Sequence, residues 1–221
     1  KDVYIKPVAG LQGRGIIRII SLDQGGFVFR YRDGEKNFEK KFRNQRSAMK
    51  FLKKRTSSGN YLVQQSVKLL QYRGGPVDFR CVMQKNQTGM WKCRTIIGRC
   101  GRPGSVVSNI SSGGSALRGE EAIRRIRPEW DSGAVISRME KLALSVCNAL
   151  DGLGLNFGTL GLDIGVDDEG IFWLIEINNR DPDTTIALNI KDKKLFCRLK
   201  EGPLFYAKAL AGFSSTDEEE S

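Results

Sequence analysis

Apolar residues recur along this chain in short runs at the two-residue period of strands, broken by glycine and charge, with two longer stretches at helical spacing. The segments "DVYIKPV" (2–8), "GIIRIISLD" (15–23) and "GFVFRYRD" (26–33) predict three strands, the first two joined by a Gly-rich loop. "RNQRSAMKFLKKRTSS" (43–58) predicts a helix that stops near Ser57–Gly59, and "YLVQQSVKLL" (61–70) a short buried strand. The break "GGP" (74–76) then opens a second series. "VDFRCVMQK" (77–85), "MWKCRTIIGRCG" (90–101) and "SVVSNISSGG" (105–114) predict a strand meander, with turns at "NQTG" and "RPG".

A helix is expected from about Pro128 to Leu150, its stripe Val135, Met139, Leu142, Val146 and Leu150 facing a core. "FGTLGLDIGVD" (157–167) and "GIFWLIEIN" (170–178) predict a hairpin around "DDEG", and a last helix covers roughly 195–211. The fold class that follows is α+β, in two lobes with a ligand cleft between them. The expected limits are 1–72 for the small lobe, 73–213 for the large lobe and 214–221 for a disordered acidic tail. Because Lys1 falls almost directly into a strand, the chain is expected to begin inside a larger protein.

Composition narrows the chemistry. Forty per cent hydrophobic and 28% charged residues over 221 positions suit a globular protein with a sizeable core, and no run reaches the length of a membrane span. There is no histidine, which excludes Ser–His and Cys–His nucleophiles and argues against zinc. The five cysteines show no C-x-x-C and are expected to be reduced thiols of a cytoplasmic protein. The net charge of +11 invites a nucleic-acid reading, since much of it lies in 29–55. No nucleic-acid motif accompanies it, and a solvated helix face is the plainer account. A triphosphate or an acidic substrate would feel the same field.

Three constellations then carry chemistry. In "WLIEINNRDPD" (173–183) an apolar approach, read as crossing a core, runs into oxygen ligands. Glu176 and Asn178, two apart on a strand, share a face, and Asp163 on the partner strand can meet them. Two carboxylates and an amide oxygen suit Mg²⁺, although such acids are also common as unrelated charges at strand ends. In "KPVAGLQGRGI" (6–16) a strand lysine precedes Gly10, Gly13 and Gly15, able to cradle phosphate or to form a plain turn. The 61–70 strand offers a hinge on which adenine could hydrogen-bond, or is simply core.

In this order the three pieces resemble an ATP-grasp domain, from about Tyr4 to Asp183, and most closely the endospore coat-associated ATP-grasp proteins of spore-forming bacteria. Asp163 stands 13 residues before Glu176, and "EIN" supplies the family's E-x-N. The resemblance implies ATP and two Mg²⁺ ions, one held by Asp163 and Glu176, the other by Glu176 and Asn178. It implies Lys6 on the α/β-phosphates, Gly13, Arg14 and Gly15 in the covering loop, and Gln64, Gln65 and Val67 at adenine, with Gln71 near the ribose. Arg80, Arg99 and Asn109 would face the γ-phosphate or acceptor. D-alanine ligases carry an arginine two residues before the metal-binding Asp. Gly161 stands there in this chain, and Arg180 could take that arginine's role.

The activity implied is an ATP- and Mg-dependent ligase joining a carboxylate to an amine or thiol through an acyl phosphate, with spore coat association. The alternatives are an ATP-binding structural module without turnover, an ATP-grasp kinase and a nucleic-acid binder. The domain that normally precedes the ATP-grasp core is expected to be missing.

Overall fold

A computed structural model describes residues 2–9, 15–33, 36–105, 113–179 and 182–213. The chain forms two compact units. The first takes in Lys1–Lys68, Arg73–Pro76 and Gly101–Gly114; the second takes in Leu69–Tyr72, Val77–Cys100 and Ser115–Ser221.

In the first unit β1 (Asp2–Pro7), β2 (Ile17–Ser21), β3 (Phe27–Asp33), β4 (Lys36–Phe42) and β5 (Tyr61–Gln65) form an antiparallel sheet in the order β4-β3-β2-β1-β5. Helix α1 (Gln45–Arg55) packs on it, Ala48 buried and Phe51 and Leu52 against Phe29, Tyr31 and Phe42. Asn44 caps this helix, its Oδ1 accepting from Ser47 N at 2.9 Å. Arg46, Lys50 and Lys53 lie on the opposite side at about 100° per residue, and all are exposed. The basic run is therefore the outer face of a packed helix.

β5 corrects one expectation. Among the described residues it pairs only with β1, at the sheet's edge, so Leu62 and Val63 are exposed and the strand is not a buried one. An edge strand has no second neighbour to cover it.

The second unit is built on β7 (Gly75–Lys85), β8 (Trp91–Cys100), β9 (Ser115–Arg118), β10 (Thr159–Val166) and β11 (Phe172–Asn178), ordered β11-β10-β7-β8-β9, with β6 (Gln71–Tyr72) also on β7. Helices α2 (Gly119–Ile126) and α3 (Ser132–Gly152) cover one face. There Val77, Phe79, Cys81 and Met83 of β7 meet Leu160, Leu162, Ile164 and Val166 of β10, with Met139, Ala143 and Cys147 of α3. The expected stripe is present, and Leu142, Val146 and Leu150 pack at its margin. Asp131 starts α3 by capping Ala134 N at 3.0 Å, so the helix begins four residues later than expected.

Helix α2 was not anticipated, and β9 lies just beyond the strand expected over 105–114, most of which is outside the described residues. β11 is also an edge strand, half-exposed, so "WLIE" does not cross the core; β10 does. Among the described residues no helix is long and apolar enough to cross a membrane.

Short helix α4 (Ile186–Asn189) and α5 (Lys193–Leu210) complete the unit. Pro203 lies inside α5 and cannot donate to the carbonyl of Leu199, one turn back. Gln84 of β7 repairs this, its Nε2 donating to Leu199 O at 2.8 Å. Gly202 makes room, since a Cβ there would stand 2.3 Å from Gln84 Oε1. Helix propensity alone would favour Gly202→Ala by about 1 kcal/mol, whereas overpacking costs about 1–3 kcal/mol. Gly202→Ala is expected to lower stability by roughly 1 kcal/mol net, read by urea unfolding followed through tryptophan fluorescence. All three tryptophans, Trp91, Trp130 and Trp173, report on the second unit.

Candidate functional site

Strand alternation sorts the second unit's side chains by face. On β7, β8 and β10 the residues between those of the apolar core are Asp78 and Arg80, Arg99, and Gly161 and Asp163, all on the face away from α2 and α3. Register then aligns them. Asp78 stands opposite Arg99, Arg80 opposite Asp163, Asp163 opposite Glu176 and Gly161 opposite Asn178. Four strands thus contribute to one cluster, and the three predicted oxygen-bearing residues share one side of the β10–β11 pair.

The cluster's centre is a buried ionic ladder. Asp163, Asp78, Arg80 and Arg99 are 4%, 5%, 7% and 7% exposed, a degree of burial that charges tolerate only when paired. Arg99 donates Nε and Nη2 to the two oxygens of Asp78 at 2.6 and 2.7 Å, and its Nη2 lies 2.8 Å from Asp163 Oδ2. Arg80 donates Nε to Asp163 Oδ1 at 2.5 Å and Nη2 to Oδ2 at 3.2 Å. Asn178 Nδ2 reaches Asp163 Oδ2 at 3.4 Å and Gly161 O at 3.3 Å. Glu176 is exposed beside them on the edge strand.

Burial opposes ionisation of Asp163, but the Arg99 and Arg80 guanidiniums outweigh it and hold the carboxyl below the usual range. Asp163 therefore stays charged. Its unfolded value is about 3.9, so its contribution to stability is complete above roughly pH 4. The contribution is lost as pH falls through the lower folded value. Urea midpoints of the tryptophan transition are expected to fall steeply below pH 4 and to change little from pH 5 to 8.

Gly161 explains itself by its neighbours. A Cβ there would stand 3.2 Å from Arg80 Nη1 and 3.0 Å from Pro182 Cβ, so glycine leaves space for the guanidinium. Asp78 is the member that sequence reasoning missed. Its signal was "VDFR", in which an acid and an arginine two apart interrupt an otherwise apolar strand.

Two carboxylates and an amide oxygen on one face fit a hard divalent cation in donor type. Among the described residues no group of three or more acids or thiols is placed to hold a metal ion, and Asp78 is taken up by Arg99. All five cysteines are free. Burial pushes Cys93 and Cys147 up to about 12 and Cys100 to about 11.

Apart from Gln71, the remaining predicted residues lie in the first unit or outside the described residues. Lys6 of β1 stands opposite Leu62, its Nζ 5.9 Å from the centre of the Tyr4 ring. Gly15, just before β2, has φ +77, which glycine adopts without strain. Gln64 and Gln65 pair with Tyr4 and Val3, and Val67 follows β5 half-buried. Gln71 opens β6 in the second unit. Gly13, Arg14, Asn109, Arg180 and the 214–221 tail lie outside the described residues.

Against known families, the description YheC/D like ATP-grasp matches residues 1–210. The chain belongs to the YheC/D-like ATP-grasp family. The α+β ATP-grasp expectation holds. This chain is 29% identical over 186 residues to the endospore coat-associated protein YheD of Bacillus subtilis (strain 168), a match covering 81% of the chain and 39% of YheD. It is 28% identical over 180 residues to the endospore coat-associated protein YheC of the same strain, covering 81% of the chain and 49% of YheC. The chain thus spans less than half the length of these relatives. Among solved structures, N5-carboxyaminoimidazole ribonucleotide synthetase from Thermotoga maritima aligns at a TM-score of 0.47 and 11% identity, over 91% of this chain and 38% of that one.

Proposed function

We propose that this YheC/D-like chain is the ATP-using core of a ligase that joins a carboxylate to an amine, or to a thiol, through an acyl phosphate. The observation that carries the reading is the meeting of Asp163, Glu176 and Asn178 beside two buried guanidiniums in an ATP-grasp chain. Asp163 and Glu176 would hold one Mg²⁺, and Glu176 and Asn178 a second, supplying charge neutralisation at the transferring phosphoryl group. Lys6, Gly13, Arg14 and Gly15 would hold the phosphates of ATP. Gln64, Gln65 and Val67 would hold adenine, and Gln71 the ribose. Arg80, Arg99, Asn109 and Arg180 would orient the γ-phosphate and acceptor.

In the first half-reaction a carboxylate oxygen of the substrate bonds to the γ-phosphorus and ADP leaves. In the second an amine attacks the acyl carbon, phosphate leaves and the nitrogen loses a proton. The guanidiniums orient the anions and offset charge in transfer, so neither half needs an imidazole.

A cytoplasmic protein acting in the mother cell or on the spore is the setting this reading implies, with coat components as partners. The coat association in the names of both relatives favours a second reading, a nucleotide-binding coat component without turnover. ADP release from Mg-ATP over a panel of carboxylates and amino acids separates the two. A ligated product supports the ligase. A phosphorylated alcohol instead would identify a kinase, and binding without ADP release would leave the structural role.

A further inference from the structure

Arg80 and Arg99 share a face and a carboxylate, yet they are anchored differently. Arg99 is gripped by both oxygens of Asp78 and would keep that grip without Asp163. Among the described residues Asp163 is the one hydrogen-bonding or ion-pairing partner of Arg80. Asp163 is also crowded. An ionised carboxylate offers about four acceptor positions. Asp163 receives Arg80 Nε, Arg80 Nη2, Arg99 Nη2 and Asn178 Nδ2. Three of these donors crowd Oδ2 and Arg80 Nε alone holds Oδ1, so a cation at Oδ2 has to displace a donor, and at either oxygen it repels the guanidinium of Arg80, which holds both.

Building on the ligase reading above, we infer that Arg80 and a divalent cation compete for Asp163, and that Arg80, once displaced, becomes the receptor for an oxyanion of the substrate. Asp78 is then a positioning residue, keeping Arg99 in place through the exchange. Gly161 contributes by leaving Arg80 room to move, since a Cβ would crowd both its Cδ and its Nη1. The exchange links the two ligands. Cation binding alone has to break the Arg80 contacts, whereas cation and polyphosphate together give the released guanidinium a new partner.

Calorimetric titration with Mn²⁺ alone, and with Mn²⁺ plus inorganic tripolyphosphate, tests this without turnover. Arg80→Met is expected to bind Mn²⁺ alone at least tenfold more tightly than the unaltered chain, and Mn-tripolyphosphate at least tenfold more weakly. Adding Glu176→Gln should remove the gain. If Arg80→Met binds Mn²⁺ no more tightly while Glu176→Gln still weakens it, the exchange is overturned and the metal assignment stands. If Glu176→Gln alters Mn²⁺ affinity in neither background, the metal assignment itself fails.

Should Arg80→Met not fold, the unaltered chain labelled with ¹⁵N-arginine decides. On adding Mg²⁺ with tripolyphosphate, the Arg80 Nε–H should shift and lose exchange protection while the Arg99 Nε–H keeps its own. An unmoved Arg80 signal under saturating ligand refutes the exchange.

Discussion

Glu176→Gln is expected to keep the fold and to lose ADP release by about 10²-fold or more, the scale of removing one electrostatic contributor at a transferring group. Glu176 is exposed on the edge strand β11, so its substitution disturbs no packing. Changes at such sites stay within about 0.5 kcal/mol. Glutamine preserves shape and removes one charge from the residue proposed to touch both ions. A fall in turnover with an unchanged urea midpoint would place the defect in charge and not in folding. The measurement is ADP release in the carboxylate and amino-acid panel, with calorimetric binding of Mg²⁺ and a non-hydrolysable ATP analogue beside it. Turnover and analogue binding equal to the unaltered chain would remove Glu176 from the site.

Arg99→Met is expected to destabilise the second unit by about 3–5 kcal/mol, the cost of leaving buried charge unpaired. Arg99 satisfies both oxygens of Asp78 and one of Asp163. Methionine fills much of the volume, so the loss is electrostatic. Arg80→Met should cost less, because Asp163 keeps Arg99 and Asp78 is untouched. The sign with pH also discriminates. Unpaired carboxylates take up protons more readily when buried, so the deficit of Arg99→Met should shrink as pH is lowered toward 4. Urea midpoints at pH 7 and pH 4.5, followed by tryptophan fluorescence, read both. Equal costs for the two arginine variants would contradict the ladder.

The chain alone determined a good deal, because period and turn chemistry are local. The two-residue period puts Glu176 and Asn178 on one face, and the "DDEG" turn pairs β10 with β11 so that Asp163 meets Glu176. The α3 stripe follows equally from its spacing. Period states which face a side chain takes and says nothing about which strand lies beside it. β7 ends at Lys85 and β10 begins only at Thr159, yet the two pair, a strand order decided by burying both apolar faces under α2 and α3. Only that order brings Arg80 to Asp163 and makes Asp78, through Arg99, part of the site. Edge position is decided in the same way, which is why β5 and β11, apolar in sequence, are half-open in the fold. Cross-strand neighbours stand about 4.5–5.5 Å apart whatever their separation in sequence, and so the ionic ladder is a property of the folded sheet.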